Sequence, residues 1–437
     1  MDRLPPEISL LIFQAVPKSD LKSLRLVSKT IDMPAAKLLF TRVYASVHRE
    51  DLDVLHAIAN HPTLRSLVQE IIYSGVYFHT GSIPPEDELL QHNVDPSRQC
   101  YLAHMEQQQK MLKGKHLHLD IAVAMISMPN IRKVTLTNHW YPPGDLLGPG
   151  CFSRRHPRDG DVRVGTPLSR AYPRFAKEPC GVPLRSGSRT YPRLNIDYGF
   201  TVMCSAMKLA CTSIQQLSVD YFVDCYQSDR RLTRGISPGS FLFSSHDLEL
   251  CYAAFSQLRK ISFSLCPAST DYERNILMEG NIATVLAAAT ELKELRFDFT
   301  CDSNDVPLEK FLGTHVWPQL RSISLLNKEM SEDELVALLK RHCKTLKVLC
   351  LDSCELYGGT WASAAQKMCQ WLALESATFF DLIEREGPCR QKILCDQLAK
   401  YVLSGEWHSI YDENYRPQTP IIARTSYHDW DDSGDDF

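Results

Sequence analysis

The stretch SEDELVALLKRHCKTLKVLCLDSCEL, from Ser331 to Leu356, contains both kinds of regular structure that this chain repeats. In its first half, Ser331 and Glu334 stand at the spacing of a capping box, and leucines follow at helical spacing, namely Leu335, Leu338 and Leu339. In its second half, Leu349 and Leu351 alternate with other residues, as on a strand with one buried face. The stretch therefore predicts a helix that leads into a short strand.

The strand half recurs along the chain as an apolar-x-x-apolar-x-apolar motif. From Ile261 the central residue recurs after 34, 28, 26 and 28 residues, close to the period of leucine-rich repeats. One motif alone means little, because leucine is common, but six or seven in register predict a repeated unit. The copies are Ile131-Val134-Leu136, Ile214-Leu217-Val219, Leu258-Ile261-Phe263, Leu292-Leu295-Phe297, Leu320-Ile323-Leu325, Leu346-Leu349-Leu351 and, weakly, Leu374-Ala377-Phe379, with Val68-Ile71-Tyr73 as a possible first copy.

The copy at 346–356 fits L-x-x-L-x-L-x-x-C-x-L at every position. In that pattern the cysteine turns inward after the strand and satisfies backbone groups there, which is the role we expect for Cys354 and, at the same place in an earlier copy, for Cys266. A strand inside and a helix outside in each copy predict an α/β fold, an irregular leucine-rich-repeat solenoid with parallel strands inside and helices outside.

The N-terminal stretch LPPEISLLIFQAVPKSDLKSLRLVSKTIDMPAAKLLFTRVY, residues 4–44, predicts three short helices. We expect Ser19 or Asp20 to cap the second helix, and Pro34 to lie in the first turn of the third. Such a domain is too small to bury a good core alone, so it is expected to complete its core on another protein. In the first helix one apolar stripe stands at helical spacing and consists of Ile8, Leu11, Ile12, Ala15 and Val16.

These N-terminal residues resemble an F-box, the module of the substrate receptors of SCF-type cullin–RING ubiquitin ligases. The ending AAKLLFTRVY and the repeats at 331–356 and 357–382 are similar to those of filamentous fungal F-box proteins. The resemblance implies a three-helix F-box that docks on the Skp adaptor, a cullin scaffold beyond it, and a protein substrate held on the repeats. It also implies the residues that line or support the adaptor contact, which are Leu4, Pro5, Ile8, Ile12, Leu21, Leu24 and Val27.

The amino-acid composition argues against several other classes of function. The 437 residues are 44% hydrophobic and 23% charged with a net charge of −4, so no global attraction to nucleic acid is expected. No apolar run reaches the ~20 residues of a membrane span, and Asp2 and Glu7 argue against a signal peptide, so we expect a cytoplasmic or nuclear protein. The 15 cysteines include no Cys-x-x-Cys pair and are expected to be free thiols. No catalytic, metal or cofactor motif is present, so no enzyme activity and no cofactor are predicted.

Two alternatives stay open at this level. The chain could be a leucine-rich-repeat interaction scaffold without a role in ubiquitination, or an enzyme whose site carries no recognisable motif. The stretch 141–193 has ten Lys or Arg against four Asp or Glu and is expected to be a flexible insertion, or a basic loop for an acidic or phosphorylated substrate. The predicted division is a 1–47 F-box, a 48–140 helical linker with first irregular repeats, a 141–193 insertion, a 194–405 solenoid and a 406–437 acidic, disordered tail.

Overall fold

The computed structural model divides the chain into two compact units, Met1–Gln319 and Leu320–Phe437. The predicted insertion at 141–193, most of the predicted tail and Cys266 lie outside the described residues. The structure describes residues 5–16, 18–74, 96–114, 116–137, 198–211, 214–220, 236–265, 268, 270–299, 306–386, 389–406 and 409–411.

The first unit begins with three short helices, α1 (Pro6–Gln14), α2 (Lys18–Leu24) and α3 (Lys29–Leu39). Two boundary predictions were wrong. Helix α2 starts at Lys18, so Ser19 and Asp20 lie in its first turn and do not precede it. Helix α3 starts at Lys29, because the Ser28 side chain accepts a hydrogen bond from the Ile31 backbone N–H at 3.4 Å, and Pro34 therefore lies inside the helix.

In the described part of the first unit six parallel strands follow, each hydrogen-bonded to the next in chain order. They are β1 (Arg42–Ser46), β2 (Glu70–Ser74), β3 (Lys133–Thr137), β4 (Gln216–Asp220), β5 (Lys260–Leu265) and β6 (Glu294–Phe299). The other α-helices among its described residues are α4 (Arg49–Asn60), α5 (Pro96–Gly114), α6 (Leu117–Ser127), α7 (Tyr198–Ala210), α8 (Ser245–Phe255), α9 (Asp271–Met278), α10 (Asn281–Ala287) and α11 (Leu308–Leu312).

The predicted strand motifs are confirmed as strands, and their register is uniform. Ile71 pairs with Val134, and the same position continues through Leu217 and Ile261 to Leu295. All of these residues are buried, so equivalent motif positions form one continuous apolar row under the sheet. Strand β1 extends the row with Val43, which does not belong to any of the predicted motif copies. The α/β class with a large parallel sheet is therefore correct.

The second unit repeats one supersecondary element three times at intervals of 26 and 28 residues. A parallel strand, β7 (Ser322–Leu326), β9 (Val348–Asp352) or β11 (Ser376–Phe380), leads into a short strand, β8 (Glu329–Ser331), β10 (Glu355–Tyr357) or β12 (Ile383–Glu386). A left-handed residue makes the bend each time, at Asn327, Ser353 and Asp381. Strand β13 (Cys389–Lys392) pairs antiparallel with β12, and the helices are α12 (Glu332–Arg341), α13 (Trp361–Trp371) and α14 (Cys395–Ser404).

The inward cysteine of the repeat pattern is confirmed at Cys354. Its side chain is fully buried, and the thiol donates to the backbone carbonyls of Leu325 at 3.4 Å and Asp352 at 3.5 Å. Burial raises the pKa of this thiol to about 12, so the group stays protonated and serves as a donor. Cys354 therefore ties the bend after β9 to the neighbouring strand β7.

Candidate protein-docking surface

Helices α1 to α3 bury a small core of their own. Its fully enclosed members are Phe13, Leu21, Ile31 and Ala35, and Leu24 packs against them while half-buried. Phe13, which is only 1% exposed, is the largest of these side chains. Pro5 opens α1 without costing a helical hydrogen bond, and Glu7 lies in the first turn, where a negative charge favours the helix dipole.

Four of the five residues of the predicted apolar stripe of α1 point away from this core, whereas the fifth, Val16, is half-buried and packs against it. Ile8, Leu11 and Ile12 are 44%, 62% and 38% exposed, and Ala15 beside them is exposed as well. Helix α1 is thus apolar on two sides, with Phe13 on the inner side and this α1 stripe (Ile8, Leu11, Ile12, Ala15) on the outer. A short helix that is apolar on both sides is typical of one that packs on a second protein.

A second set of exposed apolar side chains lies at the junction between α2 and α3. Leu26 is 88% exposed and Val27 67% exposed, and Met33 on α3 is exposed too. The bend that presents them is held at its base, because Arg25 Nε donates to Asp32 Oδ1 at 2.7 Å and the guanidinium lies 5.0 Å from the centre of the Phe40 ring. Because its base is fixed, the turn presents two large apolar side chains to solvent at little further entropic cost on binding.

The predicted contact residues therefore fall into two groups. Pro5, Ile8, Ile12 and Val27 are exposed and available to a partner. Leu21 is fully buried and Leu24 half-buried, so these two support the surface from inside. The remaining predicted residue, Leu4, lies outside the described residues.

Sequence reasoning missed several residues of this unit. Phe13 was not recognised as the centre of the core, although Leu10 and Phe13 stand three residues apart on the side of α1 opposite the stripe. Leu11 was placed on the stripe but not among the contact residues. Leu26 and Met33 were not considered, and nothing in their spacing marks them as exposed.

One buried polar cluster elsewhere contains residue types that can do chemistry. At the carboxyl ends of β1 and β2, the Ser46 hydroxyl donates to Asp51, and His48 is buried nearby. Burial raises the pKa of the Asp51 carboxyl to about 7. Since the serine donates directly to the carboxylate, the imidazole does not stand between them, and the arrangement differs from a Ser-His-Asp relay.

In the second unit, buried carboxylates hold neighbouring repeats together. The Glu332 carboxylate accepts hydrogen bonds from Lys367 Nζ at 2.5 Å, Ser363 Oγ at 2.6 Å and the Thr360 backbone N–H at 3.0 Å. Burial opposes its ionisation, but these hydrogen bonds outweigh that effect and lower the pKa of Glu332. The carboxylate at the start of α12 thus helps to cap α13 of the next repeat, which is a structural role.

Among the residues that the structure describes, no group of three or more His, Cys, Asp or Glu side chains is arranged to hold a metal ion. No helix in that part of the chain combines the length and the apolar character of a membrane span.

No protein-family model matches this chain, and no curated protein matches it either.

Proposed function

We propose that this protein is a substrate-recognition subunit of an SCF-type cullin–RING ubiquitin ligase. In this proposal helices α1 to α3 form an F-box that docks on the Skp adaptor, and an irregular leucine-rich-repeat solenoid holds a protein substrate. The observation that carries the proposal is that α1 is apolar on two sides. Phe13 packs in the core formed by α1 to α3, while Ile8, Leu11 and Ile12 on the other side stay exposed.

The exposed stripe is large enough to matter energetically. Full burial of a leucine or isoleucine side chain contributes about 1.5–3 kcal/mol, and these three side chains are roughly half exposed in the free chain. Their burial on a partner therefore contributes several kcal/mol before the entropic cost of association is subtracted. A monomer gains nothing from leaving such a stripe in water, which supports a permanent or frequent partner.

The repeats support the second half of the proposal. In the second unit the sequence of a bend, a short strand and a helix recurs at intervals of 26 and 28 residues. One copy has the inward Cys354 that the leucine-rich-repeat pattern calls for. In β5 and β6 of the first unit, the side chains on the side of the sheet opposite the apolar row are polar and not buried, and Lys260 pairs with Glu294 there at 2.6 Å. A sheet face of this kind presents specific charges to a folded or extended substrate.

In this role the chain contributes proximity and not chemistry. A ubiquitin-conjugating enzyme carried by the ligase supplies the reactive thioester, and the receptor raises the local concentration of substrate lysines near it. This mechanism requires that α1 to α3 keep a fixed position relative to the sheet that follows them. Strand β1 begins three residues after α3 ends, which leaves little freedom between the helical unit and the sheet.

The test is reconstitution with purified Skp adaptor of a filamentous fungus and its cullin–RING partner. The ligase proposal expects a complex of this chain, adaptor and cullin, and a much weaker complex when the chain carries Ile8→Ala with Leu11→Ala. A chain that binds the adaptor but never recruits the cullin would instead support the alternative, an interaction scaffold without ubiquitination. A chain that binds neither would end the proposal.

A further inference from the structure

Helix α6 is apolar on its outer side as well as on its inner side. The inner side is buried and consists of Leu117, Ile121, Ala122, Ala124 and Met125. On the outer side Leu119, Val123 and Ile126 are 43%, 58% and 61% exposed, and together they form the α6 stripe. A helix that is apolar all round is normally buried all round, so the composition of α6 indicates that a further element covers the stripe.

The spacing of the α6 stripe indicates which kind of element covers it. Its residues stand four and three positions apart, which is the alternation of a coiled-coil seam and the pattern by which one helix packs along another. The apolar surface continues to either side, because Val54 on α4 and Leu209 on α7 are also exposed and both helices pack against α6. The pattern therefore fits a second helix that lies along α6.

The charges on this face do not select a strongly charged partner. Among the 11 residues of α6, Asp120 is the only one of the types Asp, Glu, Lys and Arg. On α4, the exposed Arg49 and Asp53 form an ion pair with each other at 2.9 Å. A strongly acidic or basic partner would therefore find few matching charges, whereas a surface of the same apolar character fits.

We propose that two copies of this chain form a two-fold symmetric dimer in which their α6 stripes pack antiparallel on each other. With the axis beside Val123, Leu119 of each copy meets Ile126 of the other, so the stripe is complementary to itself. Val54 and Leu209 lie at the rim of this contact. The inference goes beyond adaptor docking and does not depend on it, because the stripe belongs to a helix outside α1 to α3.

Antiparallel packing also keeps like charges apart. The two Asp120 positions are then separated by about 7–8 Å along the helices and by about 8–10 Å between the helix axes, which gives about 11–13 Å in total. This distance exceeds the Debye length of about 8 Å at physiological ionic strength, so repulsion between the carboxylates is small. A parallel pair would place the same two residues only about 8–10 Å apart.

The size of the face predicts a weak dimer. Helix α6 has 11 residues and is therefore about 16 Å long, and its neighbours α4 and α7 lie about 8–10 Å to either side. Such a face buries less than the roughly 800 Å² per partner of a standard interface, so we expect reversible association at micromolar concentrations. In the proposed function, a dimer would carry two adaptor-docking surfaces in one assembly.

The experiment is sedimentation velocity of the full-length chain from about 1 to about 200 μM, a range that covers weak interfaces. The test variant is Val123→Glu. The matched control is Val316→Glu, because the Val316 side chain is 57% exposed, as much as that of Val123, and lies outside α4, α6 and α7. Both side chains are in water in the monomer, so both variants should melt like wild type at the lowest concentration.

We expect wild type to become dimeric within this range. Val123→Glu should raise the dissociation constant of the dimer at least about 30-fold, because each copy would bury a carboxylate without a partner. The Val316→Glu variant should dimerise like wild type, and so should the Ile8→Ala, Leu11→Ala variant, whose changes lie on the α1 stripe. A wild-type chain that stays monomeric throughout would overturn the inference and assign the α6 stripe to another protein. Dimerisation that survives Val123→Glu, or that the α1 variant abolishes, would also overturn it.

A second pair of variants tests the antiparallel arrangement. Leu119→Glu alone and Ile126→Lys alone should each weaken the dimer, because each places a charge against an apolar side chain twice. An equimolar mixture of the two variants should associate again, since the new carboxylate of one chain meets the new ammonium group of the other and the remaining contact is the native one. A mixture that associates no better than the separate variants would overturn the proposed arrangement.

Discussion

Replacement of Ile8 and Leu11 by alanine should weaken adaptor binding without weakening the fold. Each replacement removes about three carbons, and each buried carbon contributes about 0.8 kcal/mol. Only the exposed fraction of each side chain, 62% for Leu11 and 44% for Ile8, can be buried on docking. The binding free energy therefore weakens by about 1.5 kcal/mol for Leu11 and about 1 kcal/mol for Ile8. Together this is about 2.5 kcal/mol, which corresponds to a dissociation constant raised about 60-fold.

Isothermal titration calorimetry against the purified Skp adaptor measures the dissociation constant, and a thermal melt measures the fold. Alanine has a higher helix propensity than leucine or isoleucine, so the melting temperature should stay the same or rise slightly. The matched control is Val123→Ala with Ile126→Ala on α6, where the two side chains are 58% and 61% exposed. The control should leave adaptor binding unchanged. The reasoning is refuted if the Ile8 and Leu11 variant stays folded and binds within twofold of wild type.

Three other perturbations have defined outcomes. Phe13→Ala should destabilise the small helical core by about 3–5 kcal/mol and accelerate amide hydrogen exchange in α1 to α3, while exchange in the strands stays slow. The Asp51 pKa of about 7 exceeds the unfolded value, so the folded state binds more protons and stability falls as the pH rises from about 4 through 7. The free energy of unfolding falls by about 4 kcal/mol at most over this pH range. Denaturant unfolding should show that the Asp51→Asn variant lacks most of this pH dependence. Gly359→Ala should lower stability by about 1–3 kcal/mol, since φ there is +151° and a Cβ would collide with Glu332, and a wild-type melting temperature would contradict this.

The repeats were predictable because their signal is local and redundant. Eight copies of one spacing, from Val68 to Phe379, became strands, and within each unit neighbouring copies pair at equivalent positions. Parallel strands that bury the same side must align their apolar rows, so sequence spacing alone gives the register. The role of Cys354 followed in the same way, because its place after the strand brings the thiol within reach of the backbone carbonyls of Leu325 and Asp352.

The docking surface was only partly predictable. The stripe of α1 was visible as a period, but periodicity cannot tell a face buried inside a chain from one kept for a partner. That distinction required Phe13, whose burial on the other side leaves Ile8 and Leu11 in water. The exposure of Leu26 depends on the bend held by Arg25, which is a tertiary arrangement. The start of α3 at Lys29 was missed because Ser28, whose side chain caps the helix, was not recognised as its N-cap.

The most direct test of the central claim is hydrogen exchange of the full-length chain, alone and with an excess of purified fungal Skp adaptor. The account predicts that the adaptor slows exchange in α1, in the turn at Leu26 and in α3, and that exchange in β3 to β6 is unchanged. Adaptor binding that protects the strands and leaves α1 to α3 unaffected would contradict the claim, as would the absence of any binding.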